Sequence, residues 1–149
     1  MKEARRWWLL LGLLGALAVV PRSAQAQEFD LGFGADFWTA GSGAGLFTFG
    51  LDALWRVAPG FQLGLKPGLL LTTASDAQAG IPLDFKFRLT VGRVYVDGFA
   101  GPWFFFKGTV VRAHVGMGAG FRFGRILVGG EVSYLTDGAT FGGRIAFQL

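Results

Sequence analysis

Hydrophobic and polar residues alternate along this chain with a period of two. Between residues 81 and 91, Ile81, Leu83, Phe85, Phe87, Leu89 and Val91 occupy one parity, and Asp84, Lys86, Arg88 and Thr90 the other. Such alternation marks a β-strand with one apolar and one polar face. The same rhythm predicts eight strands, at 28–38, 44–57, 61–72, 81–91, 94–105, 110–123, 126–135 and 140–149. Turn-forming groups divide them: Gly41-Ser42-Gly43, Ala58-Pro59-Gly60, Thr73 to Gly80, Gly92-Arg93, Lys107-Gly108, Gly124-Arg125 and Thr136-Asp137-Gly138. No stretch sustains a helical period. The second, fourth and sixth connections are tight, the first, third and seventh longer, and the fifth intermediate. That asymmetry predicts an antiparallel up-and-down barrel with both termini on the tight-turn side.

Followed along the whole chain, the two parities separate chemically. One carries Phe29, Leu31, Phe33, Phe47, Phe49, Leu51, Leu63, Leu65, Leu69, Val94, Val96, Val115, Met117, Phe121, Val128, Val132, Ile145 and Phe147. The other holds nearly all the mid-strand charge, including Asp30, Asp36, Asp52, Lys66, Asp84, Lys86, Arg88, Asp97, Arg112, Arg122, Glu131 and Arg144. It also holds many glycines, among them Gly32, Gly64, Gly116, Gly118, Gly120 and Gly142. In a soluble barrel the apolar parity would be the interior. Three features reverse that expectation. Small residues between charged ones suit a cramped concave lumen, whereas soluble sheets display long polar side chains. Phe and Leu on all eight strands would overfill so narrow an interior. Aromatics also gather toward both strand ends: Phe29, Trp55, Phe61, Phe123 and Phe147 at one, and Phe37, Phe47, Phe104, Tyr134 and Phe141 at the other. Two aromatic girdles around an aliphatic band match a bilayer, and a strand tilted by about 40° spans about 28 Å of it. The expected fold is all-β, an eight-stranded antiparallel up-and-down transmembrane β-barrel.

Inward charges require partners, and the turns predict them. The Gly92-Arg93 turn places Arg88 opposite Asp97. Pairing Val57 with Phe61 across Ala58-Pro59-Gly60 places Asp52 opposite Lys66. Pairing Thr136 with Ala139 places Glu131 opposite Arg144. A lumen plugged by ion pairs follows. Pro67 and Pro102, on the lipid-facing parity, each remove one ladder donor and are expected to mark bulges or strand edges.

Composition and charge sharpen the picture. The chain is 52% hydrophobic and 16% charged with 25 glycines, too apolar for disorder and too glycine-rich for a helical bundle. Residues 1–26 read as a secretory signal peptide. A basic start precedes the apolar run Trp7–Val20, then Pro21 and the small-residue site Ala24-Gln25-Ala26, with cleavage expected before Gln27. The apolar run is shorter than the ~20 residues of a spanning helix. Residues 27–149 then form the barrel domain. Without Lys2, Glu3, Arg5, Arg6 and Arg22 the formal charge falls from +4 to about +1, which removes the case for nucleic-acid binding. The chain has no cysteine, so neither a lipoprotein anchor nor a disulfide framework is expected.

With these strands, turns and girdles, the chain resembles the small eight-stranded outer-membrane barrels of bacteria, the OmpA/OmpX type. The likeness lies in architecture over residues 27–149 rather than in a motif. The last strand, "FGGRIAFQL", alternates through Phe141, Ile145 and Phe147 as that family's assembly signal does, but ends in Leu149 instead of an aromatic. The resemblance implies a monomer in the cell outer membrane, contacting its lipid and lipopolysaccharide and, transiently, the outer-membrane assembly machinery.

Candidate chemistry is sparse. His114 is the single histidine and faces the lumen. On the Gly124-Arg125 register Ser133 lies diagonally across from it, with Glu131 one step further in, and a Ser/His/Glu set permits acyl transfer. Some outer-membrane barrels modify lipid A in this way, but no local motif of theirs is present and their lipid substrate lies outside the lumen. Metal binding lacks ligands, and "GMGAGFRFG" at 116–124 has the glycines but not the spacing of a phosphate loop. The expectation is therefore a barrel with a structural, membrane-integrity role, no cofactor, no enzymatic activity and no wide pore. The alternatives are a soluble exported barrel carrying a small apolar ligand and a lipid A-modifying barrel enzyme.

Overall fold

Eight strands follow one another in a computed structural model that describes residues 27–40, 43–73, 78–108 and 110–149. The expected signal peptide and its cleavage point before Gln27 lie outside the described residues. The strands are β1 (Gln27–Trp38), β2 (Ala44–Ala58), β3 (Phe61–Thr72), β4 (Ala79–Val91), β5 (Val94–Phe105), β6 (Val111–Phe123), β7 (Ile126–Leu135) and β8 (Gly138–Gln148). Each pairs antiparallel with the next, and β8 returns to β1 to close the barrel. Closure leaves no open sheet edge.

The three tight turns expected from the sequence are Pro59-Gly60, Gly92-Arg93 and Gly124-Arg125, each with a glycine at positive φ (73°, 60° and 62°). That conformation matches the twist of flanking strands and suits glycine, which has no Cβ to clash. The seventh connection differs from expectation. It is a two-residue turn, Thr136-Asp137, with Asp137 in the left-handed position at φ 80°. The longer connections are thus the first, third and fifth, around residues 39–43, 73–78 and 106–110.

Two details of the ladders also differ. In the β2–β3 hairpin Ala58, not Val57, pairs with Phe61, and a bulge between Arg56 and Ala58 absorbs the extra residue. Beyond the bulge the register runs from Arg56↔Gln62 to Gly50↔Gly68, as the sequence predicted. Pro67 and Pro102 mark neither bulges nor edges. Each pairs normally on one side, with Leu83 and Ala113, while on the other the ladder is interrupted and resumes in the same register. A missing N–H costs one rung, and neighbouring rungs hold the alignment.

The apolar parity faces outward. Phe85 is 67% exposed, Leu69 60% and Val91 80%, whereas Asp30, Asp52 and Asp84 are fully buried. Aromatic neighbours meet on this outer face, Phe37 with Phe141 (5.5 Å between ring centres) and Phe121 with Phe123 (6.4 Å). The lumen is not wholly polar, however. Trp38, Leu46, Leu70, Trp103, Phe105 and Leu135 form an apolar cluster at the long-loop end, and Tyr95, Leu127 and Ala146 form a smaller one toward the tight turns. Arg112 lies over the Trp38 ring at 4.6 Å.

An outward apolar face makes a direct prediction. Phe85→Arg puts a cation at the middle of β4 on the lipid side and is expected to cost about 2–4 kcal/mol, read as a lower urea midpoint for the barrel folded into vesicles. An unmoved midpoint would identify that face as water-exposed.

Candidate functional site

The candidate site is the lumen, where inward residues from non-adjacent strands converge. Arg88 on β4 is its most connected group. Its Nε donates to Asp97 Oδ1 (2.8 Å), Nη2 to Asp97 Oδ2 (3.0 Å) and Nη1 to Asp30 Oδ2 (2.5 Å). Arg88 and Asp97 are register partners, so the predicted pair is brought together as a bidentate fork. The Arg88 guanidinium also sits 5.0 Å above the Tyr95 ring. Lys86 Nζ lies 2.6 Å from both Asp52 Oδ2 and Asp97 Oδ2. Arg144 on β8 donates to Asp52 Oδ1 (2.8 Å) and Glu131 Oε1 (3.2 Å).

The other two predicted pairs are altered. Glu131 and Arg144 meet, but Glu131 faces Gly142 and Arg144 faces Gly129, so the contact is diagonal. The shifted turn moves the β7–β8 register by two positions, which preserves facing and changes the rung. Asp52 and Lys66 do not pair. Asp52 is taken by Lys86 and Arg144, and Lys66 lies 3.5 Å from Glu131 Oε2 and over the Phe99 ring. Hairpin register describes adjacent strands only, while long side chains in a narrow barrel reach across it. Interior glycines make the room. A Cβ on Gly32 would collide with the Arg144 guanidinium, and one on Gly120 or Gly129 with the Tyr95 hydroxyl. The glycine run at 116–124 therefore packs the barrel.

A second constellation lies nearer the long-loop end. His114 Nδ1 is 2.9 Å from Asp84 Oδ1, and Nε2 is 2.9 Å from Ser133 Oγ. With Nδ1 donating to the carboxylate, Nε2 accepts the serine hydroxyl. Asp84 also accepts from Trp103 Nε1 at 3.1 and 3.2 Å, and Ser133 bonds the Thr140 hydroxyl. Trp103 and Phe99 flank the imidazole, 4.1 and 5.2 Å away between ring centres. The expected Ser133–His114 contact is thus present, but its acid is Asp84, not Glu131. Asp84 was recognisable as inward-facing, yet its partner sits two strands away, where no turn register points. The order acid–imidazole–hydroxyl is that of an acyl-transfer triad. Among the described residues no group of three or more His, Cys, Asp and Glu could hold a metal.

Little space remains inside. A cavity of about 10 Å³ lies among Gly32, Gly34, Lys66, Trp103 and Arg144, about what one water needs.

This connectivity ranks the substitutions. Asp97→Ala strips partners from both Arg88 and Lys86 and is expected to cost about 3–5 kcal/mol. Lys66→Met, which loses one longer contact while Glu131 keeps Arg144, is expected to cost less. Unfolding midpoints of the two variants check the order, and equal midpoints would refute it.

Comparison with known proteins places the fold. No family model matches the sequence, and no curated protein matches it. Among solved structures, a de novo designed transmembrane β-barrel superposes with a TM-score of 0.69 at 14% identity, covering 85% of this chain and 99% of the design. The outer membrane enzyme PagL superposes at 0.57 with 14% identity, covering 78% of this chain and 97% of its own. A second designed barrel, solved by solution NMR, reaches 0.51 at 13% identity, over 83% and 94% of the two chains. At such identities the likeness is one of fold, and that fold is the eight-stranded transmembrane β-barrel of outer-membrane type.

Proposed function

We propose that this protein is an integral protein of the bacterial outer membrane, a small barrel of the OmpA/OmpX type, whose role is structural and whose lumen is plugged. The observation that carries this reading is the side-chain filling of the interior. Arg88, Lys86 and Arg144 cross-link β1, β2, β4, β5, β7 and β8 through buried and half-buried carboxylates, and a water-sized cavity lies beside Arg144. A barrel so filled resists deformation and offers no wide diffusion path. The outward apolar band supports insertion into lipid, with lipopolysaccharide and phospholipid as its neighbours and a monomer as the working unit. A soluble carrier would need the reverse arrangement, an apolar cavity inside a polar shell.

A second reading, a lipid-modifying barrel enzyme, is favoured by one observation, the Asp84–His114–Ser133 order. Against it, Ser133 points into the lumen beside Thr140, below the apolar cluster that includes Leu135 and Trp103.

The structural reading predicts a membrane-fraction protein whose gel mobility changes on boiling and which adds no steady conductance to planar bilayers. A large open-state conductance would overturn the plug. The folded barrel is also expected to resist fluorophosphonate labelling. Labelling abolished by both Ser133→Ala and His114→Ala, together with altered lipid A mass spectra, would replace the structural role with catalysis.

A further inference from the structure

The tight-turn mouth of the barrel carries positive charge that the lumen network leaves unmatched. Arg56 lies near the end of β2 and Arg122 near the end of β6, and Arg93 and Arg125 stand in adjacent turns. Glu28 is the carboxylate among them, and it is already engaged. Arg122 Nη2 donates to one of its oxygens and Gln62 Nε2 to the other (2.9 Å). Among the described residues, no carboxylate lies within 4 Å of Arg56, Arg93 or Arg125. Clustered guanidiniums with one spent counter-charge raise the local positive potential.

This mouth is concave. A cavity of about 370 Å³ opens among Glu28, Arg56, Gln62, Thr90 and Arg122, walled by the Pro59-Gly60 turn and Gly92. Two polar atoms of its lining, Thr90 Oγ1 and Arg122 Nε, are buried without a hydrogen-bond partner. Thr90 is held in place by its backbone N–H, which donates to Gly60 O at 2.7 Å. Buried polar groups left unpaired are costly; Arg122 Nε can only donate and needs an acceptor, and the Thr90 hydroxyl can donate to the same one. A group that supplies several acceptors and negative charge satisfies the serial demands of Arg122 Nε, Thr90 Oγ1 and the free Arg56 fork together. A tetrahedral phosphate does so, since its oxygens point in several directions at once and guanidinium forks match them.

We propose that the tight-turn mouth is a phosphate-binding vestibule, with Arg56 and Arg122 as the charged clamps and Thr90 as a hydroxyl donor. The exposed apolar residues Val57, Val91 and Phe123 lie at the same level, so the mouth stands where the outer-face band ends. Two sources of the anion share this chemistry, the headgroup phosphodiester of an adjacent lipid and a free phosphate from solution. Only the lipid source depends on the membrane reading above.

The test uses the folded barrel in phosphate-free maltoside micelles, followed by NMR at the Thr90 amide and the Arg122 Nε–H. Inorganic phosphate is titrated in one arm and short-chain phosphatidylglycerol in the other, each against chloride at matched ionic strength. Saturable shifts are expected, and binding about ten-fold weaker in Arg56→Gln and in Thr90→Val. A response to the lipid alone assigns the headgroup, and a response to inorganic phosphate shows that the free anion suffices. Boiling-dependent gel mobility verifies that each variant is folded, and Arg56 is exposed, so its substitution spares the core. Shifts that chloride reproduces, shifts that both variants retain, or no shift in either arm would overturn the proposal while leaving the membrane barrel itself intact.

Discussion

Asp30 and Asp52 stand directly opposite each other on β1 and β2, both fully buried. Two carboxylates so placed repel one another and have surrendered their water, and either effect alone would open the hairpin. The barrel holds because cations arrive from elsewhere in the chain. Arg88 reaches Asp30, and Lys86 and Arg144 reach Asp52. Those cations sit on β4 and β8, so the β1–β2 hairpin is electrostatically incomplete until the barrel closes. Closure and charge pairing are one event, and this coupling explains why the network spans so many strands.

The same constraint accounts for the interior glycines. An eight-stranded barrel leaves room for side chains but not for a full set of them. Where an arginine or a tyrosine crosses the lumen, the residues it passes must be small, as Gly32 is beside Arg144 and Gly120 and Gly129 are beside Tyr95. Polarity is inverted relative to a water-soluble protein, yet the rule obeyed is the same one. Charges buried at the middle of the lumen are paired, and apolar groups face the medium that tolerates them.

The interior also divides by height. Ion pairs occupy the middle, the hydrogen-bonded Asp84, His114 and Ser133 lie above them, and Trp38, Leu46, Leu70, Trp103, Phe105 and Leu135 cluster at the long-loop end. At the opposite end no comparable apolar cap appears among the described residues, and arginines surround the opening. An apolar cluster at the upper end and a basic, concave lower one give the two ends of the lumen different chemistry, so a ligand at either end meets different partners.

Sequence by itself determined the strands, the outward direction of the apolar parity, the tight turns and the Arg88–Asp97 pair. Each of these depends on near neighbours, either alternation within a strand or register across a two-residue turn. The apolar end of the lumen is legible there too, since Trp38, Leu46, Leu70, Trp103, Phe105 and Leu135 fall on the polar parity near strand ends. What only tertiary structure decided is the traffic across the barrel. Lys66 goes to Glu131 rather than Asp52, Arg144 reaches two strands, and Asp84 takes the place expected for Glu131 beside His114. The strand of Asp84 shares no hairpin with that of His114, so no local spacing relates them. Their meeting depends on the curvature of a closed sheet, which brings distant inward side chains to within hydrogen-bonding distance across a lumen only a few side chains wide.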